Sequence, residues 1–255
     1  KMSEVRIVFV GSGASNVACS RLIFTSGANP ALCMMVDSKG ILNKNRHDIE
    51  LRKAEFIDKW KLCQITNAEQ REGNIGDALK GADVVVALST PGPDVIKAEW
   101  IKGMAKDAIV FACANPVPEI WPWDAKNAGA AVVATGRSDF PNQVNNSLGF
   151  PGIFRGTLDV RAKTITDEMC LAAAKALADM AAEKGITADY ILPNMDEFDV
   201  FAREAAAVAT KAVEQGIARK TVTYEEEYQH ASSIIKNARD MTQLLMEEGF
   251  IAESE

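Results

Sequence analysis

The chain has 255 residues, of which 47% are hydrophobic and 25% charged, as expected of a globular protein with a sizeable core in one large or two small domains. Its net charge of −7 argues against a basic surface for nucleic acid or for an anionic membrane. Neither a secretion signal nor a membrane-spanning apolar run stands out, so we expect a cytoplasmic protein without a membrane partner.

The cysteines and histidines predict no metal site. The five cysteines are odd in number and mostly lie in apolar runs, which indicates reduced, buried thiols. No CxxC spacing occurs, and His47 and His230 fall in polar segments with helical character.

A glycine-rich turn near the N-terminus predicts a phosphate-binding site. The apolar run 5–10 leads into Gly11-Ser-Gly13-Ala14-Ser15-Asn16 and then into a helix-forming stretch. Gly11 allows a tight turn, Gly13 lets the backbone approach a pyrophosphate, and the helix directs free N–H groups at that anion. Asn16 replaces the usual third glycine and is bulkier where helix and strand pack. These five positions, Gly11, Gly13, Ala14, Ser15 and Asn16, are predicted to contact a cofactor.

A second apolar run, 32–36, ends at Asp37, some twenty residues after the turn, the spacing expected for a ribose-binding acid. Such a carboxylate accepts hydrogen bonds from the ribose hydroxyls of NAD and repels the 2′-phosphate of NADP. Ser38 and Lys39 join the predicted cofactor site. NAD is favoured, but Lys39, Lys44 and Arg46 lie close enough in sequence that NADP stays an alternative.

Short apolar runs alternate with helical segments along the first part of the chain. They occupy residues 5–10, 32–36, 62–65, 84–88, 109–113 and 131–134. This alternation predicts a parallel sheet covered on both faces, which is the doubly wound, Rossmann-type α/β fold. We place this domain at residues 1–160.

The loops after the predicted strands are rich in Gly, Pro and Asn. They span residues 11–16, 37–40, 89–93, 115–119 and 136–146. The carboxyl ends of parallel strands share one edge, where ligands of such sheets bind. We therefore add to the predicted cofactor site Ser89, Thr90, Pro91, Gly92 and Asn115.

Three long helices are predicted in the remaining part, 161–255, which we expect to pack on the first domain. Thr166 caps the first helix and Gly185 ends it. The second runs from about Phe198 to Gln215. The third begins with a capping box of Thr223 and Glu226.

Four segments together resemble the cofactor domain of the malic enzymes, particularly the short bacterial type. They are Val36-Asp-Ser-Lys-Gly40, Ala114-Asn-Pro-Val-Pro-Glu119, residues 134–146 and Gly149-Phe-Pro-Gly-Ile-Phe-Arg-Gly156. The resemblance implies oxidation of (S)-malate to oxaloacetate with hydride transfer to NAD or NADP, then decarboxylation to pyruvate and CO₂ with Mg²⁺ or Mn²⁺. It also implies that Asn115 and Asn146 match positions that bind malate or lie beside the nicotinamide, with Asn145 close by.

In that family the acid/base tyrosine and lysine and the metal-binding acids lie upstream of the phosphate turn, where this sequence has few residues. We therefore expect no catalytic residue and no metal ligand in this chain, which alone would bind cofactor without turning malate over. Two alternatives stay open: the cofactor domain of a related dehydrogenase, such as an amino-acid dehydrogenase, and a stand-alone nucleotide-binding or assembly module. Bare apolar surface on the C-terminal helices would favour a homodimer.

Overall fold

The computed structural model describes residues 1–252, which fall into two compact units. The first unit comprises residues 1–145 and the short return 187–190, and the second comprises residues 146–186 and 191–252. The return is held in the first unit by Asn142, whose Nδ2 donates to the Ala188 carbonyl at 2.8 Å, and by an ion pair between Lys126 and Asp189.

The first unit is built on a six-stranded sheet with the strand order β3-β2-β1-β4-β5-β6. The strands are β1 (Ile7–Val10), β2 (Met34–Asp37), β3 (Gly40–Ile41), β4 (Val84–Ala87), β5 (Ile109–Ala112) and β6 (Val132–Thr135). All neighbours run parallel except β2 and β3, which form a tight hairpin. The predicted doubly wound, Rossmann-type fold is confirmed.

Helices cover both faces of this sheet. They are α1 (Ala14–Thr25), α2 (His47–Glu50), α3 (Ile57–Ile65), α4 (Ile75–Leu79), α5 (Ala98–Ile101) and α6 (Pro122–Asn127). Val8 and Val10 of β1 pack in the cluster with α4, α5 and α6, whereas Ile7 and Phe9 pack in the cluster with α1 and α3. Because both faces are covered, all four residues of β1 are buried.

One predicted strand is wrong, because residues 62–65 form the last turn of α3. Leu62 and Cys63 are buried against the cluster around Phe9, so their apolar character reflects one face of a helix. Four apolar or weakly polar residues are too few to separate the two periodicities. The antiparallel strand β3 has only two residues and was not predicted.

The second unit is helical, with α7 (Phe150–Asp159), α8 (Asp167–Lys184), α9 (Asp199–Glu214) and α10 (Tyr224–Glu247). The Thr166 hydroxyl accepts a hydrogen bond from the Met169 N–H, and Gly185 ends α8 with φ +94°. The capping box of Thr223 and Glu226 starts α10. No helix among residues 1–252 is long and apolar enough to cross a membrane.

Helix α7 was not predicted, because its Gly and Pro residues favour loops. Two of its glycines are required by packing: a Cβ on Gly152 would meet Glu204, and one on Gly156 would overlap the Ala205 carbonyl oxygen. Helix α7 lies in the second unit. The domain boundary expected from the sequence, at residue 160, had placed these residues in the nucleotide-binding domain.

Candidate dinucleotide site

The turn after β1 has the geometry of a phosphate cradle. Gly11 adopts φ +98°, and a Cβ there would lie 2.7 Å from the Leu88 carbonyl oxygen, so only glycine fits. Gly13 differs, because it has ordinary extended backbone and no atom lies within 4 Å of the place of a Cβ. The space beside Gly13 is therefore open to a ligand.

The N-terminus of α1 lies at this open space. Gly13, Ala14 and Ser15 are exposed, Gly13 supplies no capping side chain, and the first turn has no acidic residue. The first N–H groups of a helix have no partner within the helix and carry its partial positive charge. An anion of pyrophosphate size is the ligand this end favours.

Asn16 is fully buried and fastens the turn to the sheet. Its Nδ2 donates to the carbonyls of Val10 at 2.8 Å and Gly11 at 2.9 Å. The Asn16 amide thereby links α1 to the end of β1. The third glycine of the usual motif would allow close packing of helix and strand but would form no such hydrogen bond. Because the Asn16 side chain is buried, only the backbone of Asn16 could contact a cofactor.

Asp37 ends β2 as predicted, but its carboxylate is already engaged. Its Oδ1 accepts from Lys39 N at 2.8 Å and Arg46 Nη1 at 3.0 Å, and its Oδ2 accepts from Arg46 Nη2 at 2.9 Å and Lys59 Nζ at 2.5 Å. A carboxylate has about four acceptor directions, and all are occupied. Burial raises the pKa of Asp37, but the hydrogen bonds from Arg46 and Lys59 outweigh it and hold that pKa below its usual range.

Arg46 joins Asp37 to a second acid, Asp48. Arg46 Nε donates to Asp48 Oδ1 at 2.8 Å and Nη2 to Asp48 Oδ2 at 3.0 Å, while Nη1 also reaches the Gly40 carbonyl at 3.3 Å. Lys39 Nζ lies 3.1 Å from Asp48. We call Asp37, Lys39, Arg46, Asp48 and Lys59 the Arg46 cluster. Sequence reasoning missed Asp48 and Lys59, because no spacing rule links them to a strand-ending acid.

An open cavity of about 590 Å³ adjoins Asp37. Ile41, Ile75 and Trp100 supply apolar walls. Asn43, Asn45 and Asn74 supply amides. A cavity that combines apolar walls with a few amides suits a heteroaromatic base.

Glu119 connects the loops after β4 and β5. It is fully buried, and its Oε1 accepts from Ser89 N at 2.8 Å and Ser89 Oγ at 3.1 Å, while Oε2 accepts from Ala114 N at 3.0 Å. Both donors of Ser89, a predicted cofactor residue, are therefore engaged by protein, whereas Thr90 and Pro91 are exposed. Sequence reasoning missed Glu119, since one of its partners, Ser89, lies in the loop after β4, thirty residues away.

Two of the predicted substrate residues meet at Gly136. A Cβ on Gly136 would lie 2.9 Å from Asn115 Nδ2, so the Asn115 side chain rests against the glycine backbone. Asn145 Nδ2 donates to the Gly136 carbonyl at 3.0 Å. The third residue, Asn146, is exposed and begins a short 3₁₀ turn in the second unit.

Arg137 ties the same two loops together. Its Nη1 donates to the Pro116 carbonyl at 2.7 Å, and its other nitrogens bind the Asp139 carboxylate. The guanidinium carbon lies 6.0 Å from the Trp121 ring centroid and 5.6 Å from that of Phe140. The peptide after Asn115 is thus held by a side chain from the loop after β6.

Among residues 1–252, no group of three or more His, Cys, Asp or Glu side chains is arranged to hold a metal ion. The five cysteines form no disulfide, and burial raises the pKa of Cys33 and of Cys63 to about 11. These thiols are therefore protonated at neutral pH.

Comparison with known proteins identifies the family. The family model "Malic enzyme, NAD binding domain" matches residues 1–214. An NAD-dependent malic enzyme of Geobacillus stearothermophilus is 40% identical over 86% of this chain and 44% of its own, and an NADP-dependent malic enzyme of Halomonas elongata is 42% identical over 86% and 53%.

A crystal structure of Entamoeba histolytica malic enzyme has 51% identity and a TM-score of 0.96, covering 100% of this chain and 52% of that one. The chain thus spans about half the length of the relatives it matches. It belongs to the malic enzyme family, and residues 1–214 correspond to that family's NAD-binding domain.

Proposed function

We propose that this chain is the cofactor domain of an enzyme that oxidises (S)-malate and decarboxylates the product to pyruvate. The observation that carries the proposal is the turn after β1, where Gly11 at φ +98° packs on the Leu88 carbonyl and Gly13 leads into the uncapped N-terminus of α1. The neighbouring helix end, the cavity beside Asp37 and the loops after β4, β5 and β6 follow the carboxyl ends of parallel strands, where dinucleotides bind in such sheets.

NAD is the proposed cofactor, with NADP as the alternative, and relatives named for each are known. The five N–H donors of Arg46 are all engaged by Asp37, Asp48 and Gly40, so the guanidinium has none left for a 2′-phosphate. The cavity walled by Ile75 and Trp100 would receive the adenine.

For the substrate, we propose that Asn115, Asn145 and Asn146 orient malate against the nicotinamide, which accepts the hydride when the cofactor is bound. Amides donate to carboxylates and accept from a hydroxyl without adding charge. Mg²⁺ or Mn²⁺ and the acid/base groups are proposed to come from other parts of the enzyme. A cytoplasmic location and a homodimer complete the proposal.

The decisive test replaces Gly13 by Asp. Gly13 is the N-cap of α1 with φ −78°, a position where Asp is among the favoured residues, so the fold is retained. The carboxylate would occupy the cradle and repel the pyrophosphate. We expect NAD binding, measured by calorimetry, to fall roughly 10- to 150-fold, which corresponds to losing one hydrogen bond to a charged group.

Gly13→Asn is the matched control, because it has the same shape and caps equally well but carries no charge. It should weaken NAD binding less than Gly13→Asp, while both variants keep the thermal midpoint of the wild type. Unchanged NAD affinity in Gly13→Asp, at an unchanged melting temperature, would rule out this cradle as the pyrophosphate site.

A further inference from the structure

We infer that Asp48 is a specificity-determining residue that favours NAD by occupying Arg46. This inference rests on the proposed function, because it concerns which form of the dinucleotide the same site accepts. Asp48 lies in α2 and has no predicted role in the sequence pattern. It touches the site only through two cations, Arg46 and Lys39.

All five N–H donors of Arg46 are engaged within the protein. A guanidinium has five N–H donors in a fixed plane. Two are directed at Asp37, one at the Gly40 carbonyl, and two, from Nε and Nη2, at the two oxygens of Asp48. The pair held by Asp48 forms one side of the guanidinium fork, which is the edge that matches two oxygens of a phosphate.

Charge leads to the same conclusion. Three cations, Lys39, Arg46 and Lys59, face two carboxylates in the Arg46 cluster. Without Asp48, the carboxylate of Asp37 alone would face the three cations. The Nζ of Lys39 and two N–H donors of Arg46 would each lose the oxygen that they now bind. A dianionic 2′-phosphate would then find two donors and an ammonium within the same cluster.

Removing Asp48 should leave Arg46 in place. The bidentate contact of Arg46 with Asp37 and its bond to the Gly40 carbonyl do not involve Asp48. The Arg46 side chain is only 12% exposed, whereas that of Asp48 is 36% exposed. The substitution therefore removes the more exposed contact of Arg46, with Asp48, and keeps its buried contact with Asp37.

The test is Asp48→Ala, titrated separately with NAD and with NADP by calorimetry. We expect the affinity for NADP to rise about tenfold, the equivalent of ~1.4 kcal/mol, while that for NAD changes less than about twofold. Asp48→Asn keeps one acceptor for Arg46 and should give a smaller rise than Asp48→Ala.

Glu50→Ala is the matched control. It removes the same charge from the same short helix, but Glu50 pairs with His47 and not with the Arg46 cluster. An equal gain in NADP affinity in Glu50→Ala and Asp48→Ala would overturn the inference in favour of a general charge effect.

The outcomes also separate this inference from the proposed function. If Asp48→Ala binds NAD as the wild type does and NADP no better, the role of Asp48 is refuted and the cofactor domain stands. If the wild type binds neither nucleotide, the proposed function fails and the inference fails with it.

Discussion

Single side chains connect the loops at the carboxyl edge of the sheet. Glu119 is fully buried and receives three hydrogen bonds from Ser89 and Ala114. A buried carboxylate is tolerated when donors surround it, and here the donors belong to two loops that each carry predicted cofactor or substrate residues. Glu119 therefore fixes the spacing between the ends of β4 and β5.

Replacing Glu119 by Gln should destabilise the first unit by about 1–3 kcal/mol, because the amide nitrogen would face a donor and leave it unsatisfied. Urea unfolding followed by tryptophan fluorescence measures this, since all four tryptophans, at 60, 100, 121 and 123, lie in the first unit. Glu99→Gln, at an exposed position of α5, is the control. Equal midpoints for the two variants would show that the Glu119 contacts contribute nothing.

Asp37 shows how far residue-level prediction reaches. Its position follows from the motif, because a strand-ending acid at that spacing is a local pattern. Its partners Arg46 and Lys59 do not follow, because the fold alone brings them to the carboxylate. The position of the predicted ribose acid was thus predictable, whereas the saturation of its lone pairs was not.

At the level of elements, α7 and α9 meet at an unusual buried acid. Glu204 of α9 is fully buried beside Gly152 of α7, and both of its oxygens lack a hydrogen-bond partner in the described part of the chain. Burial raises the pKa of Glu204 from 4.5 to about 9. The folded protein therefore holds this proton at neutral pH, while the unfolded chain releases it.

The sign of the pH dependence follows from this difference. Between pH 4.5 and about 9 Glu204 binds fewer protons in the unfolded chain than in the folded one, so its contribution to stability falls as pH rises. Glu204→Met removes the titration, and its free energy of unfolding should exceed that of the wild type by a margin that widens by up to ~1.4 kcal/mol per pH unit. Urea unfolding by circular dichroism at pH 5, 7 and 9 measures the margin.

Glu214→Gln is the control for this series, because Glu214 lies on the same helix but is exposed and paired with Lys211. The free energy of unfolding of Glu214→Gln should change with pH in the same way as that of the wild type. A constant margin between Glu204→Met and the wild type across pH would mean that Glu204 titrates normally in the folded protein.

The same elements show where prediction from sequence stops. The N-caps of α8 and α10 and the glycine that ends α8 are local signals, and they were predicted correctly. Helix α7 was missed because Gly152 and Gly156 serve its packing against α9, a reason that local propensity cannot reveal. Residues 62–65 were misassigned because a short apolar run fits both strand and helix.

At the level of the whole molecule, the last helix leaves apolar side chains uncovered. Ala231 of α10 is buried against Ala202 and Ala205 of α9. Further along α10, Met241 is 62% exposed and Leu244 is 55% exposed. Exposed apolar side chains near one helix end are the feature that supports the proposed homodimer.

Light scattering over a concentration series should therefore give the mass of a dimer for the wild type, and a shift towards monomer for Met241→Asp combined with Leu244→Asp, since charges are disfavoured in an apolar contact. Asn237→Asp adds charge at an exposed polar position and should leave the dimer intact. A wild-type monomer at every concentration would contradict the homodimer.

The return of residues 187–190 to the first unit has a consequence for the integrity of the polypeptide. The backbone passes from one unit to the other three times, after residues 145, 186 and 190. A protease that cuts between 145 and 146 would leave a C-terminal fragment that still contributes Ala188 and Asp189 to the first unit. The two units are therefore interleaved along the chain, and neither corresponds to one continuous stretch of sequence.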